Sequence, residues 1–221
     1  GIAPQRPRPT PQPRSVPGGR SVERPLFLGT APAESVSGRP VASAVPEGDP
    51  TRAHYDRGLS CLLVGAYEDA LESFQAALRE EPNLVEAYCA VAQVHANQGH
   101  YAEAMRACER ALELDDLAEE AYLLRGLIHR QMDQLDQAAA DLERAAYLNP
   151  SSPTAPFHLG NVFLAMAKRD RALQSFRRAW RALLGRKDEL LIDGVPVHLL
   201  RQACSQQIEA LAPAERLSGV V

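Results

Sequence analysis

The feature that most constrains this chain is an interval of 34 residues at which small and aromatic side chains return. Shifting by that interval carries Gly65 onto Gly99, Tyr67 onto Tyr101 and Leu135, and Ala70 onto Ala104, Ala138 and Ala172. It also carries Phe74 onto Cys108, Leu142 and Phe176, and Ala77 onto Ala111, Ala145 and Ala179. Half a repeat earlier, Gly58, Ala92, Gly126 and Gly160 fall in register, and Pro82 and Pro150 close two of the units. A chain with this period folds as a stack of similar units, each burying its apolar face on its neighbours, and not around one central core.

Four copies with these residue types at this spacing resemble the tetratricopeptide repeat (TPR). The fold class expected is therefore all-α, a right-handed superhelical TPR solenoid of four helix pairs with a C-terminal capping helix. The small residues allow close approach of paired helices, and Tyr67, Phe74, Tyr88, Tyr101, Tyr122, Phe163 and Phe176 fill the space between them. Repeats are expected at 51–84, 85–118, 119–152 and 153–184, with turns at Gly65 and Gly99 and with Asp133 and Ala167 standing where glycine is usual. Pro156 falls in a first helical turn, where its missing N–H is tolerated. A loop is expected over 185–195, then a capping helix over 196–212 with Leu200, Cys204, Ile208 and Leu211 on one stripe, and a tail at 213–221.

Residues 1–50 hold eleven of the seventeen prolines and six of the fourteen glycines. That composition cannot build a packed core and predicts a disordered, semi-extended linker. The chain starts at Gly1, so a fragment of a longer polypeptide is expected, with something tethered in front of the linker. The formal charge of −4 is unevenly spread: +2 over residues 1–50, −10 over 51–152 and +4 over 153–221. Lys168, Arg169, Arg171, Arg177, Arg178 and Arg181 form a candidate basic patch, read either as a solvated helix face or as a surface for an acidic partner. No known nucleic-acid-binding motif accompanies these cations, so nucleic acid is not an expected partner. No apolar run reaches 18 residues, so no membrane span is expected. Cys61, Cys89, Cys108 and Cys204 lack ligand or disulfide spacing, which suits reduced thiols in a cytoplasmic protein.

No phosphate-cradling loop, dinucleotide fingerprint, HExxH helix or nucleophile elbow occurs in the sequence. His95 and His129 share a repeat position but have no third ligand in register, so no metal, cofactor or catalytic residue is expected in this chain. What remains is a surface that binds protein or peptide. In TPR proteins the second, fifth, ninth, twelfth and thirteenth positions line a concave groove. The resemblance places there Tyr55, Leu59 and Leu62 of repeat one, and Glu86, Gln93 and Asn97 of repeat two. Repeat three contributes Leu123, Leu127 and Arg130, and repeat four Phe157, Asn161 and Leu164. TPR modules that grip a chaperone's C-terminal carboxylate have Lys and Asn where this chain has Tyr55 and Leu59, so that ligand is not expected. The groove, apolar at its ends, suits an amphipathic helix or the chain's own tail.

The segments Ala146-Tyr147-Leu148-Asn149-Pro150, Phe157-His158-Leu159-Gly160, Arg178-Ala179-Trp180-Arg181-Ala182-Leu183-Leu184 and Asp193-Gly194 narrow the resemblance. Together they are similar to the C-terminal TPR extension of CheR-type chemotaxis receptor methyltransferases, which is also tethered through a Pro-rich linker. That resemblance implies a parent enzyme using S-adenosylmethionine to methylate receptor glutamates. This chain would then be its non-catalytic arm, with the chemoreceptor or the tethered methyltransferase domain as partner. The alternative is a stand-alone TPR scaffold in bacterial secretion, pilus or multiprotein assembly.

Overall fold

A computed structural model describes residues 49–192 and 194–212; the linker over 1–48, the tail over 213–221 and Asp193 lie outside the described residues. Among the described residues eight helices form four pairs: α1 (Pro50–Leu63) with α2 (Tyr67–Glu80), α3 (Val85–Asn97) with α4 (Tyr101–Leu114), α5 (Glu119–Gln131) with α6 (Leu135–Leu148), and α7 (Thr154–Ala165) with α8 (Arg169–Leu183). The chain enters α1 through a local device, Asp49 accepting a 3.0 Å bond from the Thr51 N–H with Pro50 at the first helical position.

Apolar stripes on the second helix of each pair set the packing. Ala70, Phe74 and Ala77 of α2 are fully buried, as are their counterparts Ala104, Cys108 and Ala111, then Ala138, Leu142 and Ala145, then Ala172, Phe176 and Ala179. Pairs close tightly where the first helix has no side chain. A Cβ on Gly58 would lie 2.5 Å from the Phe74 ring, on Gly126 2.9 Å from Leu142, and on Gly160 2.7 Å from Phe176. The intra-repeat turns are left-handed at Gly65 and Gly99 (φ 76°), at Asp133 (φ 58°) and at Ala167 (φ 56°). Pro156 sits inside the first turn of α7, where the helix loses no hydrogen bond to it.

Helix α9 (Val197–Leu211) stacks on α8 as the first helix of a further pair would. Val197, Cys204 and Leu211 are buried, and Leu200 and Ile208 pack on the same side. The stack is thereby closed at this end by a helix with a polar reverse.

The segment 185–195 is not simply a loop. Strands β1 (Leu191–Ile192) and β2 (Val195–Pro196) pair antiparallel with Ile192 opposite Val195. The sequence reason is an Asp-Gly dipeptide between β-branched residues, with Gly194 at φ 75°. Arg201 ties this segment down, bonding Asp188 at 2.7 Å and the carbonyls of Leu183 and Arg186.

Candidate functional site

The first helices of successive pairs touch one another, α1 with α3, α3 with α5 and α5 with α7. First helices therefore line the inside of the curve, and it is their inward faces that a ligand would meet.

Only part of the expected groove lining is open. Tyr55, Leu59, Asn97, Arg130, Phe157, Asn161 and Leu164 are half-buried, and Glu86 is exposed. Leu62, Gln93, Leu123 and Leu127 are corrected to interior positions, at 6%, 2%, 8% and 1% exposure. The reason is the contact between first helices, which closes over the apolar inward residues and removes them from water. Two polar groups are caught in this closure: the Gln93 Nε2 and Asn97 Oδ1 atoms are buried without a hydrogen-bond partner among the described residues.

The two ends of the inner face differ in charge. Near the start of α3 and α5, a cavity of about 430 Å³ is lined by Glu81, Glu86, Cys89, Asp115, Glu119 and Glu120 among others. Burial, and then the Glu120 and Glu86 carboxylates, push the Tyr55 hydroxyl and the Cys89 thiol well above their ordinary values. Tyr55 packs 5.6 Å from the Phe74 ring with the Arg52 guanidinium over its face.

Further along, Arg130 in the last turn of α5 reaches α7, its Nη1 lying 3.3 Å from His158 Nδ1. A guanidinium can only donate, so His158 accepts through Nδ1 and keeps its proton on Nε2. Burial and the adjacent Arg130 cation push the His158 pKa down to about 3, so the ring is neutral at neutral pH. Phe157 holds the histidine edge-on with ring centroids 5.6 Å apart and packs 5.9 Å from Phe176. Asn161, one turn on, donates to the Phe157 carbonyl at 3.2 Å.

The basic patch is mostly occupied by its own molecule. Lys168 lies 3.8 Å from Asp136, and Arg169 donates to the Ala210 carbonyl at 3.2 Å. Arg171 pairs with Glu143 and sits 4.1 Å over the Phe163 ring, and Arg178 donates to the Ala146 carbonyl. Arg177 and Arg181 are the exposed members without a partner among the described residues. The patch works as clips from repeat four to repeat three and to the cap, because α6 presents carboxylates and carbonyls to α8.

Two features escaped the sequence reading. Asp141 of α6 is 7% exposed and takes two bonds from Arg125 of α5, at 2.6 and 2.8 Å, with His129 Nε2 3.6 Å away. His129 also bonds Gln134 through Nδ1 at 2.6 Å, while the His95 ring centroid is 6.1 Å from that of His100. The Arg130–His158 contact was the second. Its only sequence signal was a histidine within a mostly apolar helix, 28 residues after an arginine. All four cysteines are free thiols, with burial pushing Cys108 up to about 12 and Cys204 up to about 11.

Comparison with known proteins agrees with this architecture. Residues 62–128 match a family model described as tetratricopeptide repeat, and residues 97–179 match one described as anaphase-promoting complex, cyclosome, subunit 3. No curated protein sequence matches the chain. Among solved structures, a thermophilic TPR protein of Thermus thermophilus, TTC0263, is similar at a TM-score of 0.60 and 22% identity, covering 73% of this chain and 82% of that one. MamA is similar at 0.53 and 21%, covering 73% and 90%. The type III secretion chaperone SycD of Yersinia enterocolitica, in complex with a peptide of the translocator YopD, is similar at 0.51 and 20%, covering 57% and 91%. Residues 50–183, with their four stacked helix pairs, have the fold of a TPR solenoid.

Proposed function

We propose that this TPR region is the non-catalytic, protein-binding arm of a CheR-type receptor methyltransferase. It would set which receptor glutamates the tethered enzyme reaches. The observation that carries this reading is the Phe157-His158-Leu159-Gly160 block. In this sequence it resembles the methyltransferase extension, and His158 of the block lies 3.3 Å from Arg130 Nη1 while its Phe157 carbonyl accepts from Asn161. Residues that combine packing with a polar inward face suit recognition of a partner segment. The arm supplies no chemistry; S-adenosylmethionine would belong to the parent's catalytic domain. Tethering through the Pro-rich linker raises the concentration of receptor near that domain. A cytoplasmic location follows from that role, and no helix among the described residues is long and apolar enough to cross a membrane.

The test begins with the natural polypeptide upstream of Gly1, where a cofactor-binding methyltransferase domain is expected. Deleting residues 51–211 from that parent should change the choice or rate of receptor methylation while methyl transfer itself persists. An unchanged methylation pattern overturns the reading. If no such domain precedes Gly1, the scaffold reading takes its place, a role that the likeness to a peptide-bound secretion chaperone supports.

A further inference from the structure

Four arginines among the described residues are half-buried: Arg125, Arg130, Arg186 and Arg201. Arg125 is paired with Asp141 and Arg201 with Asp188. Arg186 gives its donors to the carbonyls of Ala182 and Ser151. Arg130 differs from all three. Its one hydrogen-bond partner among the described residues is a neutral imidazole nitrogen, and burial alone acts on its pKa, downward, with no carboxylate to oppose it. This occurs in a stretch, residues 51–152, with eighteen acidic side chains against eight arginines, so carboxylates are not scarce. A guanidinium carries five N–H donors in a planar fork, and an unpaired, partly desolvated one is costly to keep.

Nearby backbone acceptors are already engaged. The carbonyls of Ile128, His129 and Arg130 at the end of α5 are taken by the N–H groups of Met132, Gln134 and Asp133. On the neighbouring first helix α3, one repeat earlier, Gln93 Nε2 is buried with no acceptor and Asn97 Oδ1 with no donor among the described residues. The inner face thus holds a cation with no carboxylate and an amide donor with no acceptor among the described residues, on helices that touch one another.

We infer that Arg130, held by His158, is the receptor for the carboxylate of a glutamate or aspartate side chain within a partner segment lying along the inner face of α3, α5 and α7. A fork-to-carboxylate pair with two parallel bonds would satisfy the guanidinium. His158, which keeps its proton on Nε2, fixes the rotamer without competing for the anion. The ligand is an interior acidic side chain and not a chain terminus, because Tyr55 and Leu59 occupy the places where terminal-carboxylate binders carry Lys and Asn. The inference rests on the reading of the inner face as a peptide groove, and is independent of the methyltransferase.

The probe is an array of acetylated, C-terminally amidated amphipathic peptides, each with one internal Glu, printed beside twins with Gln. A third set has a free C-terminal carboxylate as its only anion. The full 221-residue chain is applied, and hits are titrated in solution. The expected result is a set of peptides preferred at least about 10-fold over their Gln twins, the size of one charge-assisted pair. Arg130→Gln should abolish that preference, and Arg130→Lys should leave a weakened one because an ammonium cannot make the paired bonds. Thermal melting supplies the second readout. Arg130→Met should leave the midpoint unchanged or raise it, since it removes an unpaired cation. A Glu preference that survives Arg130→Gln, the absence of any Glu preference, binding confined to free C-termini, or a lowered midpoint in Arg130→Met would each overturn the inference. Failure here leaves the methylation test untouched, and the deletion experiment can fail while Arg130 still selects acidic peptides.

Discussion

Where repeat three sets Arg125 of α5 against Asp141 of α6, repeat two has Val91 and Ala107, the residues 34 positions earlier. Both slots sit at the seam of a helix pair. In repeat two it is closed by Ala107 at 9% exposure, with the half-buried Val91 packed against the core. In repeat three it is closed by a two-pronged ion pair, whose hydrogen bond to Asp141 is the main cause of the raised Arg125 pKa. The backbone pairs the same way in both. The lesson is that the seam requires filled volume and satisfied polarity, and that apolar contact or a complete ion pair provides either.

The sharpest break of that comparison is to remove one half of the pair. Asp141→Ala leaves the Arg125 guanidinium partly buried and unpaired, and should destabilise the fold by about 3 to 5 kcal/mol, as breaking a buried pair does. Urea unfolding followed by circular dichroism measures it; a loss under about 1 kcal/mol would mean that water reaches Arg125 freely. Next in size is the steric version of the same seam. Gly160→Ala pushes a methyl group into the Phe176 ring and should cost roughly 1 to 3 kcal/mol by overpacking. Repeat two carries Ala92 at this position because its partner is Cys108, a much smaller side chain. Combining Gly160→Ala with Phe176→Leu should therefore cost less than the two changes added separately, which a double-mutant cycle reads. Smaller again is the conversion of one seam into the other. Arg125→Val with Asp141→Ala reproduces the slot of repeat two, and should bring stability back to within about 1 kcal/mol of the parent, since replacing both members strands no charge.

How much of this was legible follows from which residues repeat. The helix pairs, the cap and the left-handed turns were readable because each depends on a residue type at a fixed position, such as Gly65, Ala138 or Leu200. The Arg125–Asp141 pair was not, because it replaces the repeat's usual apolar contact in one unit and periodicity averages over units. The groove was half legible. Register placed Leu62, Gln93, Leu123 and Leu127 on the inward face, but could not say that neighbouring first helices close over them. The basic patch was half legible for a related reason: its members are exposed, but a count of cations on α8 does not contain the carboxylates and carbonyls of α6 that engage Arg171 and Arg178.

The smallest expected effect lies in the turns, where repeats one and two use glycine and repeats three and four do not. A Cβ on Gly65 or Gly99 would touch nothing within 4 Å, so their requirement is conformational and not steric. Gly99→Ala should then cost about 1 kcal/mol or less, a left-handed penalty of about 1 to 2 kcal/mol offset by about 0.4 to 1 kcal/mol of entropy removed from the unfolded chain. Ala167 already bears that strain at φ 56°. Ala167→Gly relieves it, but returns about 0.4 to 1 kcal/mol to the unfolded chain as entropy, leaving a net gain of about 1 kcal/mol or less. Asp133→Gly should gain less still, because a short polar side chain tolerates the left-handed region better than alanine does. Thermal melts of the three variants order these effects, and a gain from Asp133→Gly larger than that from Ala167→Gly would show that Asp133 carries a strain beyond its backbone angle.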